Sequence, residues 1–230
     1  MKRIVLSSAF TSLFLILVGC GTDPRAQLRV VHAVPDAPKV DALLDGKVVV
    51  SGAAYTDVTK YLAVKTGIRK VKVNLAGTNT TVITADTPLL SVKKYYTVLA
   101  IGEAKNATLA ALYLTDDRTA PAAGQSKLRA VHSSPNAGTV DIYIAKPTDP
   151  VPSTPTIPNV TFKTVSAYTT LPVATYEVCV YPSGVKPPSL TSCTISASVT
   201  LTSGQNRTVV ALDPSPGKTA FQVVVLPDLQ

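Results

Sequence analysis

The stretch LRVVHAVPDAPKVD at residues 28–41 returns as LRAVHSSPNAGTVD at residues 128–141. Leu28, Arg29, Val31, His32, Pro35, Ala37, Val40 and Asp41 meet their own kind at Leu128, Arg129, Val131, His132, Pro135, Ala137, Val140 and Asp141, without a gap and 132 − 32 = 100 residues apart. Self-similarity of this kind means two copies of one structural unit, each burying its own hydrophobic positions. The echo continues downstream. Tyr55, Val58 and Tyr61 correspond to Phe162, Val165 and Tyr168, now 168 − 61 = 107 residues apart, and Thr97 corresponds to Thr208 at 208 − 97 = 111. The second copy has therefore gained seven residues in one place and four in another. At 230 residues the chain has room for two domains of about 100 residues.

The units read as all-β. Val and Thr lose side-chain freedom in a helix and suit a pleated sheet. In residues 69–75, Val71, Val73 and Leu75 alternate with Lys70, Lys72 and Asn74, the period of two of a half-buried strand. Residues 27–33, 40–44, 47–51, 80–84, 95–101 and 109–114 read as further strands. Asp45-Gly46 between two of them is a two-residue hairpin turn, where both central positions need positive φ. Short strands with turns every 8–12 residues or so predict two tandem immunoglobulin-like β-sandwiches, at residues 27–121 and 127–230, with 122–126 as linker.

The N-terminus reads as an export signal. Lys2 and Arg3 precede an apolar run over residues 4–18 that is short for a membrane span, which takes about 20 residues. Leu17-Val18-Gly19-Cys20 resembles a bacterial lipobox, in which small residues precede a Cys acylated with fatty chains such as palmitate. An ordinary signal with a coincidental Cys is the competing reading, and it leaves the order of the three regions unexplained. The expectation is a lipoprotein signal at 1–19, lipidation at Cys20, a tether at 20–26 and membrane association through the lipid. Gly21 in place of Asp implies the outer membrane if the cell has one. Removing Lys2 and Arg3 leaves 20 basic against 14 acidic residues.

Export implies an oxidising compartment, and Cys179 and Cys193 then form an even pair expected to be disulfide-bonded. Strand alternation objects, since it turns Cys179 outward with Glu177 and Tyr181 while Cys193 falls in phase with Ile195. A bulge or an irregular strand start near Cys193 would reconcile them.

The duplicated motif, Arg-x-Val-His-x-x-Pro-(Asp/Asn)-Ala followed by Val-Asp, resembles bacterial domain-of-unknown-function family 4397. Asp45-Gly46, the segment KYYTV at 94–98 and Asp116-Asp117-Arg118 resemble it too. The resemblance covers 27–121 well and the second unit less well, where Asn136 stands for Asp and Ala145-Lys146 for Asp-Gly. It implies an exported envelope protein, often with tandem copies, and supplies no established activity.

His32 and His132, the two histidines, occupy equivalent places. With Asp36 or Asp41 a histidine can form a metal or acid–base site. A residue repeated in both copies is better explained by a repeated fold, each His tying its first strand to the following turn. Arg29, Arg129, Asp41 and Asp141 are read the same way, as an intradomain ion pair or solvated ends rather than an anion site. Asp116 and Asp117 lack the spaced carboxylates of a Ca²⁺ loop. G-x-S-x-G, a phosphate-binding Gly-rich loop, H-E-x-x-H and C-x-x-C are all missing, so neither an enzyme nor a cofactor is expected.

Lys65, Arg69, Lys70, Lys72, Lys93 and Lys94 form the most basic region, a solvated strand face or a contact for an envelope polyanion. Nucleic acid is not an expected partner. Residues 146–158 replace the first unit's hairpin with a Pro-rich arm carrying Pro147, Pro150, Pro152, Pro155 and Pro158. With the 182–191 loop, this pre-extended arm is the expected contact surface for an envelope protein or polyanionic polymer. The function expected is a non-catalytic interaction module. The alternative is a hydrolase or metal-dependent enzyme with its site near His32 or His132.

Overall fold

The computed structural model describes residues 24–229. The signal at 1–19, Cys20 and most of the tether lie outside these described residues. The first copy forms β1 (Arg25–His32), β2 (Val40–Leu44), β3 (Lys47–Ala53), β4 (Leu62–Lys65), β5 (Lys70–Leu75), β6 (Thr81–Asp86), β7 (Tyr95–Ile101) and β8 (Ala110–Asp116). The second forms β9 (Gln125–His132), β10 (Val140–Ala145), β11 (Ile157–Val160), β12 (Thr169–Pro172), β13 (Ala174–Pro182), β14 (Ile195–Leu201), β15 (Asn206–Leu212) and β16 (Gln222–Leu229). The fold is all-β, with one 3-10 turn at Pro135–Ala137 among the described residues.

Each copy is a sandwich of two four-stranded sheets. The first pairs β4-β1-β7-β8 with β3-β2-β5-β6, and the second pairs β12-β9-β15-β16 with β11-β10-β13-β14. The fill is the alternating apolar set of the facing strands. Leu28, Leu44, Val71, Tyr96 and Val98 form part of the first core, and Leu128, Ile142, Val178, Val199 and Val209 part of the second.

One sheet of each sandwich carries a parallel pair at its centre, β1 with β7 and β9 with β15. Central parallel strands are normally covered on both faces. Here the second cover is the other sandwich. Val31, Ala33, Leu99, Ile101 and Leu114 of the first copy pack with Val131, Val210, Leu212 and Leu226 of the second in one core. The chain is thus a four-layer stack, with β4-β1-β7-β8 and β12-β9-β15-β16 as inner layers. That is why β7 is buried at every position after Tyr95, where an alternating strand would expose half. Burial on both faces contributes in proportion to the apolar area removed from water, so these strands are the most strongly held.

Strand directions bring matching ends of the two facing inner sheets together. Arg25, Lys65, Tyr95 and Asp116 meet at one end of the first inner sheet, and Gln125, Pro172, Asn206 and Leu229 at the matching end of the second. We call this the tether end, since β1 begins there. At the opposite end Gly102 has φ +102°, and a Cβ there would lie 2.4 Å from the Thr108 carbonyl oxygen, so the turn after β7 requires glycine.

Candidate functional site

Arg29 and Arg129 project from β1 and β9 into the space between the inner sheets, and each crosses to the other sandwich. Arg29 Nη2 donates to Asp228 Oδ1 at 2.6 Å, and Arg129 Nη2 donates to Asp116 Oδ1 at 2.7 Å. The parallel register sets Arg29 beside Thr97 and Arg129 beside Thr208, whose hydroxyls accept from the guanidinium Nε at 3.0 and 2.9 Å. Those hydroxyls donate onward, Thr97 to Asp116 at 2.6 Å and Thr208 to Asp228. Tyr61 and Tyr168 close the figure by donating to Asp116 and Asp228 at 2.8 and 2.7 Å, with Arg29 and Arg129 stacked over their rings at 4.7 and 4.5 Å.

Every member has a counterpart in the other copy, so the network has pseudo-twofold symmetry, as in an isologous interface. The arginines are 2% and 4% exposed and both aspartate side chains 0%, so these charges are desolvated and depend on one another. The expectation of solvated ends for Arg29 and Arg129 is corrected here, and the expected intradomain pair is the longer of two approaches, at 3.5 and 3.7 Å. Asp116 of the same sandwich is 3.5 Å from Arg29, while the shorter bond goes across. All three nitrogens of each guanidinium donate to protein acceptors. Burial next to Asp116 and Asp228 pushes the Tyr61 and Tyr168 phenols well above their ordinary range. Asp117 is bonded by Lys127 at 2.6 Å, and the described residues contain no cluster of three or more metal-ligating side chains.

His32 and His132 sit at the far end of the same strands. Nε2 of each lies 3.2 and 2.8 Å from the Pro38 and Gly138 carbonyl oxygens, and Nδ1 accepts from the Val34 and Ser134 N–H groups at 3.3 Å. Each ring is thus a brace between its strand and the turn that follows. Burial pushes both imidazoles below their ordinary value, against the opposing pull of those carbonyls. The unfolded chain then takes up protons first. Stability should hold above about pH 6.5 and fall as the pH drops from there through the lower folded values. The midpoint of urea unfolding, followed between pH 7.5 and 5, checks this, and His32→Gln with His132→Gln should flatten the profile in that window.

Asp41 and Asp141 are also corrected from ion pairs or solvated ends, because each accepts one backbone N–H from an edge strand and one from a turn. Asp41 binds the N–H groups of Gly52 and Gly77 at 2.7 and 3.0 Å, and these bonds hold its carboxyl below the usual range. Asp141 binds the N–H groups of Asn159 and Gly184 at 2.7 and 2.9 Å. Burial raises its carboxyl, and these bonds with that from Ser183 outweigh it, for a net lowering.

Through Asp141 the repeat holds the roots of both additions to the second copy. The arm enters a turn at once, with the Asp149 N–H bonded to the Lys146 carbonyl, so it is bent rather than uniformly extended. Pro147, Pro150 and Pro158 are exposed, Pro152 and Pro155 partly buried, and Pro158 lies in edge strand β11. The loop after β13 folds over the outside of β10 and β13. There Tyr143, Ala145, Cys179 and Leu190 form a small core of their own, against which Val151 of the arm, Tyr181 and Cys193 pack. Cys179 and Cys193 are disulfide-bonded, with Cα atoms 5.5 Å apart. The alternation argument that turned Cys179 to solvent is corrected, since the face is outward but roofed, and Cys179 is 0% exposed. Cys193 lies in irregular chain before β14, as the reconciling possibility required.

The basic region does not form one patch. Arg69 pairs with Asp45 and Lys70 with Asp86, while Lys93 and Lys94 line a cleft of ≈ 520 Å³ beside Arg129 and Tyr168. Sequence reasoning missed the network as a network. Its signal was present in the duplicated Thr97/Thr208 and Asp116/Asp228, polar residues repeated inside apolar strands, and in Tyr61/Tyr168, repeated just before β4 and β12.

No curated protein matches the chain. Among solved structures, a candidate adhesin from Bacteroides ovatus is 12% identical with a TM-score of 0.26, over 88% of this chain and 93% of that one. The Bacillus anthracis TIE protein is 10% identical with a TM-score of 0.27, over 89% of this chain, which spans 44% of its length. The family model for the domain of unknown function DUF4397 matches residues 26–143, from the second residue of β1 through β9 and into β10. Since that match holds the Arg29, Tyr61, Thr97, Asp116 and Arg129 network positions and runs through more than half of the sequence, the chain belongs to the DUF4397 family.

Proposed function

We propose that this protein is a lipid-anchored, non-catalytic module of the bacterial envelope, whose second sandwich presents the arm and the disulfide loop to an envelope protein or polymer. One observation carries the reading. The two segments that the second copy has beyond the first meet on one outer face, around a small core stapled by Cys179–Cys193. The repeated residues are engaged within the fold, with His32 and His132 braced to backbone groups and Arg29 and Arg129 paired across the sandwiches. A rigid surface added outside the repeat loses little conformational entropy when a partner settles on it.

In-cell crosslinking of the tagged protein, followed by mass spectrometry, tests the surface. Replacing 146–158 by Asp-Gly should abolish capture of the partner while the unfolding midpoint of the inner sheets stays in place. Capture that survives this change and fails in His32→Ala or His132→Ala overturns the reading in favour of a histidine-centred site. The anchor has its own test. Cys20→Ala should release the protein from the membrane fraction into the soluble extracytoplasmic fraction, because stable anchoring takes more than one acyl chain, which lipoprotein modification supplies. A variant that still fractionates with membrane at high salt would refute the anchor.

A further inference from the structure

At the tether end, the two copies differ where their folds agree. In the first sandwich an isolated Gly67–Leu90 bridge lies beyond the β5–β6 ladder, one residue out of its register, and Ile68 and Leu89 are the residues just inside that bridge. In the second, the corresponding pairing of Ala174 with Leu201 sets Thr175 opposite Thr200, whose hydroxyls hydrogen-bond at 2.9 Å. The polar pair is what a solvent-facing position calls for. The first copy instead exposes Ile68 at 65%, Leu89 at 67% and, on the same loop, Val92 at 50%. The residues matching Val92, Lys93 and Lys94 are Ser203, Gly204 and Gln205. Three apolar tips and two lysines therefore stand on one copy at places where the other is neutral and polar.

The position of this patch says what covers it. The Lys93 N–H bonds the Arg25 carbonyl at 3.0 Å, which fastens the loop to the first residue of β1. Cys20 precedes Arg25 by five residues, a reach of at most about 18 Å even when fully extended. The nearby carboxylates Asp45 and Asp86 are taken by Arg69 and Lys70. Lys93 and Lys94 form no ion pair among the described residues and face outward. Apolar tips beside two unpaired lysines match the interface of an anionic bilayer, where the tips enter the headgroup boundary and the lysines meet lipid phosphates.

We propose that Ile68, Leu89, Val92, Lys93 and Lys94 form a second membrane contact, which docks the first sandwich tether end down on an anionic lipid surface. The proposal rests on the reading of Cys20 as the anchor only for which surface lies within reach. Docking would hold the stack upright, with the arm-and-loop face at its side.

The test uses the Cys20→Ala protein, which carries no acyl chain, with vesicles of phosphatidylglycerol and phosphatidylethanolamine against vesicles of phosphatidylcholine. The protein should co-sediment with the anionic vesicles and lose this in high salt. Ile68→Thr, Leu89→Thr and Val92→Ser together, the residues of the second copy, should weaken binding at least tenfold. Lys93→Gly and Lys94→Gln should each weaken it about fivefold. Urea unfolding should be unchanged, since all five side chains are exposed. Absence of binding to anionic vesicles, or equal binding by the triple variant, overturns the proposal. So does a concentration-dependent dimer that the triple variant dissolves while vesicles are ignored, because the patch would then be covered by a second copy. Failure of the anchor appears separately, in the fractionation of Cys20→Ala, and leaves the vesicle result standing.

Discussion

Arg29→Ala should lower the free energy of unfolding by about 3–5 kcal/mol, the cost of removing one partner from a buried charge pair. The loss has little to do with the attraction itself. Asp228, with no side-chain exposure, would be left buried with its nearest cation gone, and Thr97 would lose two donors. Arg129→Ala should cost a similar amount, because Asp116 and Thr208 stand to it as Asp228 and Thr97 stand to Arg29. The double variant should cost more than the sum, since Arg29 and Arg129 each reach both carboxylates, at 3.5 and 3.7 Å for the longer approaches, and either one alone partly serves both. Arg69→Ala is the control, as its partner Asp45 is 37% exposed and such pairs contribute about 0–1 kcal/mol. Urea unfolding of the three variants measures the contrast. An Arg29→Ala loss no larger than that of Arg69→Ala would refute the network as the lock between the sandwiches.

Cys179→Ala with Cys193→Ala should cost about 3 kcal/mol, the chain-entropy value for closing a loop of this size. The loss should also be local. Without the bridge, the loop that roofs Tyr143, Ala145 and Leu190 is held by little besides Asp141 and its own turns. Limited proteolysis should then cut within 183–194 before the inner sheets open, because cleavage follows the population of the locally open form. Mass mapping of the fragments checks this. First cuts elsewhere, in the 117–124 connection for instance, would show that the roof stands without its staple. The same variant should also weaken partner capture, since Val151 of the arm packs on this core.

Much of the fold was legible because strand formation is governed by side chains at intervals of two, and those intervals lie on the page. Val71 and Val73 lie buried and Lys70 exposed, as alternation expects. Asn74, expected on the solvated face with the lysines, is buried and Leu75 only half-buried, because the β5–β6 register shifts after Val73. Asp45-Gly46 reads as a hairpin turn, and both residues have positive φ. The Cys179–Cys193 pairing was legible from residue count and compartment alone. Alternation misled at Cys179 because it tells which way a side chain points and not whether another segment covers that side.

What the sequence by itself determined is the repeat, the all-β class and the pairs of residues bound to share a role, since duplication and periodicity are properties of order along the chain. The tertiary structure alone decided what those roles are. Arg29 has the same neighbours in sequence whether its carboxylate lies in its own sandwich or 199 residues away at Asp228. The choice falls on Asp228 because the parallel β1–β7 and β9–β15 pairs leave two apolar faces that must be removed from water, and each can cover the other. Once those faces meet, Arg29 and Arg129 are carried into the interface, and a buried charge there needs a partner within reach. Nothing local to either arginine specifies that partner.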